Sequence, residues 1–540
     1  MPNYQRLRIG NYEFSHKSAM SHNFLPKKRR NISKTLKVAN ATQEEKMSYT
    51  SAGLEGGQYR PLSSEQIQTI HNAALQILET TGLAYEAGLE DVIDFLEAEG
   101  VNVDHSAGRL RFTSDWILEK VAMAPEYFTL YSRDENHDIM LGGDRVYLGN
   151  GGAAIRVLDP ETGEARAPVL KDVYNIGRIM DKMENIHFCL RPCTPTDVPD
   201  ECSDINFCYA LIKSVSKHIM GGINHVQKQE DIARVVSEIH ELLSMATGRS
   251  IEDLKNRPLY SNISCFCISP LKLSTTPMRT MLEAVKNDIP VALSGAPMAG
   301  STAPLTMAAM LTMLHAEQLA GIAICQTWKP NSRVLYGGAP ALSNMKTLGY
   351  RGGAVECGMG NAAIHQLARY IKVPNYNSAG LTESKIPDTQ AGYEKGMNIL
   401  LAAMGGSNYI HHAAGMLDSM LAVGYEQYVI DDEIIGAACK VLKGIDTDSD
   451  HLALEVIDAI GPGGNYITSP HTMRHMRSEY FMGNGVSNDK DFARWKAEGG
   501  KDTRTRAREI VKKILSKDPA VPYISEKADT AIRERFNILL

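Results

Sequence analysis

The sequence predicts an α/β chain built on a (β/α)8 barrel of TIM type, with an N-terminal layer of helices and short strands and a C-terminal helical extension. Two observations carry this. Eight short apolar runs, each ending in Gly, Pro, Ser or Asn, recur along the chain, most of them separated by stretches of helical spacing. Eight such strand–helix units over roughly 300 residues match the arithmetic of the barrel.

The elements follow in order. Ser63 and Ser64 offer a helix cap, and Ile67, Ile70, Ala74, Leu75 and Leu78 follow at helical spacing. A second helix is expected over Gly88–Glu99, then short strands at Leu110–Phe112 and Phe128–Tyr131. The eight barrel strands are placed at Val146–Gly151, Ile186–Arg191, His218–Gly222, Tyr260–Ile268, Pro290–Gly295, Arg333–Gly338, Asn375–Gly380 and Tyr409–Gly415. Helices are expected over 170–182, 203–215, 229–245, 276–287, 305–327, 353–371, 388–404 and 426–442. The segments then read as 1–46 a basic extension expected to be disordered, 47–145 the N-terminal layer, 146–448 the catalytic barrel, and 449–540 helices packed on it. A doubly wound sheet is the runner-up, because Gly149–Ala154 fits a loose dinucleotide fingerprint. That run leads into Ile155–Leu158 and the turn Asp159–Gly163, which suggests a hairpin rather than a phosphate-binding helix.

Composition narrows the function. With 57 Lys+Arg against 63 Asp+Glu the net charge is −6, which argues against a whole-chain polyanion binder. Residues 1–46 carry a net +7, including Lys27–Arg30. This stretch reads as a basic arm, a transit-like leader, or sequence ahead of a natural start at Met47, the last two being preferred to nucleic-acid binding. No run of 18 apolar residues is uninterrupted, so no membrane span is expected. The nine cysteines form no framework and read as reduced thiols in the cytoplasm.

In such a barrel the reacting groups sit at the C-terminal strand ends. Reading only those positions gives Tyr147 and Asn150, Asn224 and His225, Phe266 with Cys265 and Cys267, Tyr336, Tyr376, Leu381–Lys385, and His411 with His412. Tyr147 and Asn150 differ in strand parity and so compete. His411 and His412 alternate in direction, so one at most is expected in the lumen. The set is poor in carboxylates, so a metal hydrolase built on Cys265, Cys267 and the His pair is a minor alternative and no metal is assigned. Aromatic and small polar groups suit a quaternary ammonium held by its methyl surface.

Several segments are similar to the trimethylamine methyltransferase family. They are Gly151–Gly163, Ile268–Leu271, Ser294–Pro304, Gly380–Glu394, Asp431–Glu433, Gly461–Asn465 and His471–Thr472, within about residues 60–490. The resemblance implies methyl transfer to the Co(I) corrinoid of a separate protein, with no tightly bound cofactor on this chain. The helical tail after Thr503 separately suggests a homo-oligomer. Trimethylamine-demethylating members carry pyrrolysine, which the resemblance places in or beside Gly380-Leu381-Thr382. Here that stretch is read through with ordinary residues. The non-pyrrolysine branch is linked with betaines such as glycine betaine, proline betaine or carnitine, whose quaternary nitrogen leaves neutral without covalent activation.

On this reading Leu381, Thr382 and Glu383 border the methyl group and the corrinoid and are the catalytic candidates. Tyr147, Phe266 and Tyr336 hold the ammonium, with Tyr376 a weaker fourth. Asn150, Asn224, His225 and His412 are candidates for the substrate carboxylate. Lys385 either binds substrate or pairs with Asp388, and Glu356 is expected to be a solvated first-turn residue. A non-catalytic betaine-binding barrel is the alternative from another class.

Overall fold

Eight parallel strands close on themselves. They are β1 Arg145–Asn150, β2 Phe188–Leu190, β3 His218–Gly221, β4 Tyr260–Ser264, β5 Val291–Leu293, β6 Val334–Gly338, β7 Asn375–Ser378 and β8 Tyr409–Ala414. Each pairs with the next, and β8 pairs with β1 to complete the ring. All eight expected strands are present. The computed structural model describes residues 53–223, 226, 229–517 and 522–540. The basic segment 1–46 and the candidates Asn224 and His225 lie outside the described residues.

A helix follows each strand: α1 Leu170–Lys182, α2 Asp200–Ser214, α3 Gln229–Thr247, α4 Thr275–Lys286, α5 Met307–Trp328, α6 Val355–Tyr370, α7 Thr389–Gly405 and α8 Tyr425–Lys443. These bounds lie within about three residues of the sequence expectation, as helix ends usually do. The fingerprint at Gly149–Ala154 opens no helix. It runs into the strand Arg156–Leu158, which turns at Asp159 to pair with Ala165–Arg166. The doubly wound alternative is therefore excluded.

The N-terminal layer braces the barrel from outside. Its first helix, Ser64–Thr80, is capped by Ser63 through a reciprocal bond with Gln66 and buries Ile70, His71, Ala74, Leu75 and Leu78. His71 Nδ1 meets His315 Nε2 of α5 at 2.9 Å, and His315 Nδ1 meets the Tyr336 hydroxyl at 2.8 Å. A hairpin of Phe128–Leu130 and Ile139–Leu141 plugs the N-terminal end of the barrel, where its side chains join the lumen core of Tyr147, Phe188, Leu190 and Tyr409.

The C-terminal extension divides in two. Helix Thr503–Leu515 buries Ala507 and Val511 and anchors on α8, where Arg508 Nη2 meets Glu426 Oε1 at 2.8 Å. The tail after Thr503 thus packs on the chain's own barrel. By contrast, the short helices Ser449–Leu452, Leu454–Ile460 and Pro470–His475 contain no buried residue.

Among the described residues one helix, α5, is long and apolar enough to cross a membrane, but 83% of the relevant window is buried inside the fold. It carries Glu317, fully buried, which accepts from Ser269 Oγ and the Leu271 N–H, each at 2.9 Å. Burial pushes its carboxyl up to about 7, with no cation facing it among these partners. A folded pKa above the unfolded one means the fold favours the protonated form, so stability falls as pH rises from about 4.5 to about 7. The loss is about 3 kcal/mol. Melting curves from pH 5 to 8 should show this decline in the native chain and lack that share of it in Glu317→Gln; identical slopes would refute it.

Candidate active site

The barrel lumen is built in tiers. At its floor the Phe188 and Tyr409 rings stack 3.5 Å apart between centroids, and Gly149 makes room for Phe188, since a Cβ there would lie 2.1 Å from the ring. Tyr147 belongs to this floor. Its hydroxyl accepts from the Met140 N–H of the plugging hairpin at 3.2 Å, at the end of the barrel opposite the reacting loops.

Strand parity assigns the next tier. On β4, Tyr260, Asn262 and Ser264 share the outward face; Ser264 Oγ donates to the Pro277 carbonyl of α4. Ser261, Ile263 and Cys265 therefore face inward. On β7, Tyr376 faces inward and its hydroxyl meets His411 Nδ1 of β8 at 2.8 Å. Ser294 of the β5 end bonds toward both Cys265 and Tyr376. Solvent reaches the Cys265 side chain, although the surrounding protein pushes its thiol up by burial. A thiol both reachable and enclosed lines a recess.

The two histidines correct a sequence expectation. His412 adopts φ +70, and the β8–β1 register shifts between Ile410 and Ala414. This bulge breaks the alternation, so the rings of His411 and His412 stack 3.5 Å apart instead of pointing to opposite faces. His412 Nδ1 is tied to Ser378 Oγ at 2.5 Å. Burial holds His411 well below the usual histidine range and His412 at about 3, so both rings are neutral. His411 Nε2 is buried without a hydrogen-bond partner, and the α-carbon side of Gly152 leaves it uncovered: a Cβ there would stand 3.4 Å away.

The other aromatic and amide candidates stand elsewhere. Phe266 packs between β4 and α5, where a Cβ on Gly321 would strike its ring at 2.3 Å. Tyr336 also faces outward, tied to His315. Asn150 spends its amide on backbone: Nδ2 donates to the Gly151 and Leu190 carbonyls at 2.6 and 3.0 Å, and Oδ1 accepts from the Leu190 N–H at 2.6 Å. It staples β1 to β2 and has no donor left for a substrate. Of the four aromatic candidates, Tyr376 is the one placed beside the recess. Cys267, the second thiol of the minor metal reading, lies on the buried side near Glu317.

The β7 loop is braced rather than loose. Gly380 has φ +94 and sits where a Cβ would lie 2.8 Å from Ala413. Leu381 is buried against Gly352, Thr382 Oγ1 donates to Glu394 Oε2 at 2.5 Å, and Thr382 bridges to Ser419. Glu383 accepts from the Gly353 N–H at 2.9 Å, and burial with Glu394 nearby raises its carboxyl. Lys385 reaches Asp418 at 3.4 Å, while Asp388 caps α7 by accepting from the Ala391 N–H; the two do not pair. Glu356 is exposed in the first turn of α6.

Beneath these loops lies a buried ion pair that the sequence reading did not single out. Lys395 Nζ is 3.2 Å from Asp431, both side chains fully buried. The ammonium also donates to the Gly380 and Met416 carbonyls, and Asp431 accepts from the Gly415 N–H at 2.7 Å and Gln427 Nε2 at 2.8 Å. Burial dominates both groups, lowering the lysine and raising the aspartate against their mutual attraction. The pair joins the ends of β7 and β8.

Comparison with known proteins gives the family. The family described as trimethylamine methyltransferase (MTTB) matches residues 27–537, wider at both ends than the segments resembling it, and reaching into the basic N-terminal stretch. The glycine betaine methyltransferase of Desulfitobacterium hafniense strain Y51 is 30% identical over 88% of this chain and 97% of its own. The trimethylamine methyltransferase MttB of D. hafniense strain DSM 10664 / DCB-2 is 30% identical over 89% of this chain and 94% of its own. Among solved structures, the Methanosarcina barkeri monomethylamine methyltransferase MtmB aligns with TM-score 0.46 and 10% identity over 86% of this chain and 96% of that one. The chain belongs to the trimethylamine methyltransferase family, a family of amine methyltransferases.

Proposed function

We propose that this chain transfers a methyl group from a quaternary amine, glycine betaine foremost, to the Co(I) corrinoid of a separate partner protein. The observation that carries the reading is an uncharged recess. None of the eight barrel strands contains an Asp or Glu, and burial keeps His218, His411 and His412 neutral. Such a site is poor at acid–base chemistry and suited to orienting and desolvating a substrate.

The reaction asks for little else. The C–N bond breaks with its electron pair going to nitrogen, so a quaternary substrate leaves as a neutral tertiary amine. The methyl carbon is taken up by the pair on Co(I), the one chemical contribution of the corrinoid. In the tautomer that lets the Tyr376 O–H donate to His411 Nδ1, the ring proton sits on Nε2, the free nitrogen, where it can hold a betaine carboxylate. The loop Gly380-Leu381-Thr382, in or beside which the resemblance places an electrophile, carries ordinary side chains, compatible with a substrate needing no covalent activation.

An apolar rim supports the docking of such a partner. Ile155, Ile268, Leu305, Met345, Ile386 and Leu421 are exposed, one on each of six loops that follow barrel strands. Apolar side chains gathered on one face favour docking of a largely apolar surface. Nine unpaired cysteines support a reducing, cytoplasmic setting.

The test mixes the purified chain with a reduced corrinoid protein and follows the Co(I) absorption on adding glycine betaine, other quaternary amines, or trimethylamine. Loss of the Co(I) band with a quaternary amine but not with trimethylamine is expected. The same result with trimethylamine alone would overturn the substrate assignment. Alkylation of Cys265 supplies a binding readout independent of turnover. Betaine that slows labelling without ever discharging Co(I), across several corrinoid proteins, would favour a non-catalytic binder.

A further inference from the structure

We propose that the C-terminal segment holds a zinc-class divalent cation between Asp450, His471 and His475, with His451 and Glu479 beside them. His471 and His475 stand one turn apart on one face of the helix Pro470–His475. Asp450 and His451 come from the helix Ser449–Leu452, some twenty residues earlier. The ligand atoms of Asp450, His471 and His475 all lie within 4.8 Å of one another, and so do those of His451, His475 and Glu479. His475 belongs to both triads. Its ring centroid is 4.4 Å from that of His471 and 4.9 Å from that of His451.

The present contacts already converge on Asp450. His475 Nε2 lies 2.9 Å from Asp450 Oδ2, His471 Nε2 lies 2.8 Å from the Asp450 carbonyl oxygen, and Arg474 meets the other carboxylate oxygen at 2.6 Å. A tetrahedral ion with bonds near 2 Å separates its ligand atoms by about 3.3 Å, so a modest contraction and a rotation of the His471 ring complete the site. Imidazoles with a carboxylate select zinc and its neighbours over magnesium or calcium, which prefer all-oxygen sites.

The fold supplies the reason for an ion here. The three helices between Ser449 and His475 bury no side chain, while Leu454 and Ile467 are 70% and 74% exposed. None of these helices has a buried apolar side chain to clamp the first to the third. A metal tie across the intervening loop supplies the cross-link that a core would otherwise provide.

The experiment uses the full chain, stripped with chelator and dialysed, then titrated with Zn²⁺ against a chromophoric competitor. One equivalent per chain at micromolar affinity or tighter is expected, and Co²⁺ in its place should give the visible bands of a four-coordinate site. His471→Ala and His475→Ala should each weaken binding by about 100-fold, while His105→Ala, outside the cluster, should not. Binding of less than a stoichiometric fraction, or undiminished binding in both variants, would overturn the proposal. Limited proteolysis of the native chain needs no variant: zinc should slow cleavage between residues 449 and 479, and unchanged cleavage would count equally against it.

Discussion

Lys395→Met is expected to destabilise the chain by about 3 to 5 kcal/mol, because it leaves Asp431 buried without its cation. Methionine matches the lysine stem in length and fills the same space, so the loss reports the charge rather than a cavity. Above neutral pH the effect should be greatest. As pH falls, the raised pKa of Asp431 allows it to protonate, and part of the stability returns. The double change Lys395→Met with Asp431→Asn removes both charges while an amide oxygen still accepts from the Gly415 N–H. It should recover most of the loss in denaturant unfolding. Methyl transfer should stay impaired in the double variant, since the Gly380 and Met416 carbonyls have lost their shared donor. A single variant as stable as the native chain would show that the pair contributes nothing.

His411→Phe is the second large effect. The phenyl ring can keep the stack on His412 but carries neither ring nitrogen. On the proposed reaction, kcat/KM for glycine betaine should drop by about 100-fold, in line with loss of one hydrogen bond to a charged group plus an unpaired Tyr376 hydroxyl. Tetramethylammonium, which has no carboxylate, should lose far less. Because burial holds His411 far below its usual range, the ring stays neutral from pH 6 upward. The native rate should therefore show no inflection near pH 6 to 7 from this group. An inflection there that vanishes in the variant would mean that the ring titrates, contrary to its environment.

The barrel was legible because its signal is repetitive. Each strand is a short apolar run with a punctuating Gly, Ser or Asn, and eight repeats reinforce one another. The lumen was harder to read because it depends on parity, which no run announces by itself. Tyr336 is the third residue of β6 and Tyr376 the second of β7, and that one-residue offset turns them to opposite faces. One faces His315 on α5 and the other faces His411 inside the barrel. Tyr147 was misplaced along the axis: it lies on an inward face but at the plugged end. The stacked histidines required a bulge, and a non-glycine residue at φ +70 leaves no mark in a string of letters. Cys265 carried a usable signal, since Ser261, Ile263 and Cys265 share the parity that Ser264 and Phe266 do not. The Lys395–Asp431 pair spans 36 residues, and only the folded chain brings those charges together.

The hairpin that plugs the N-terminal end of the barrel makes the lumen a blind well, with Phe188 and Tyr409 stacked as its bottom. A well with one mouth imposes a queue. In the proposed reaction the small amine has to be inside before a protein the size of the corrinoid carrier covers the rim, and the demethylated amine departs only after that carrier has lifted away. The order of binding and release is thus set by topology rather than by relative affinity. An excess of carrier competes with its own substrate by closing empty wells.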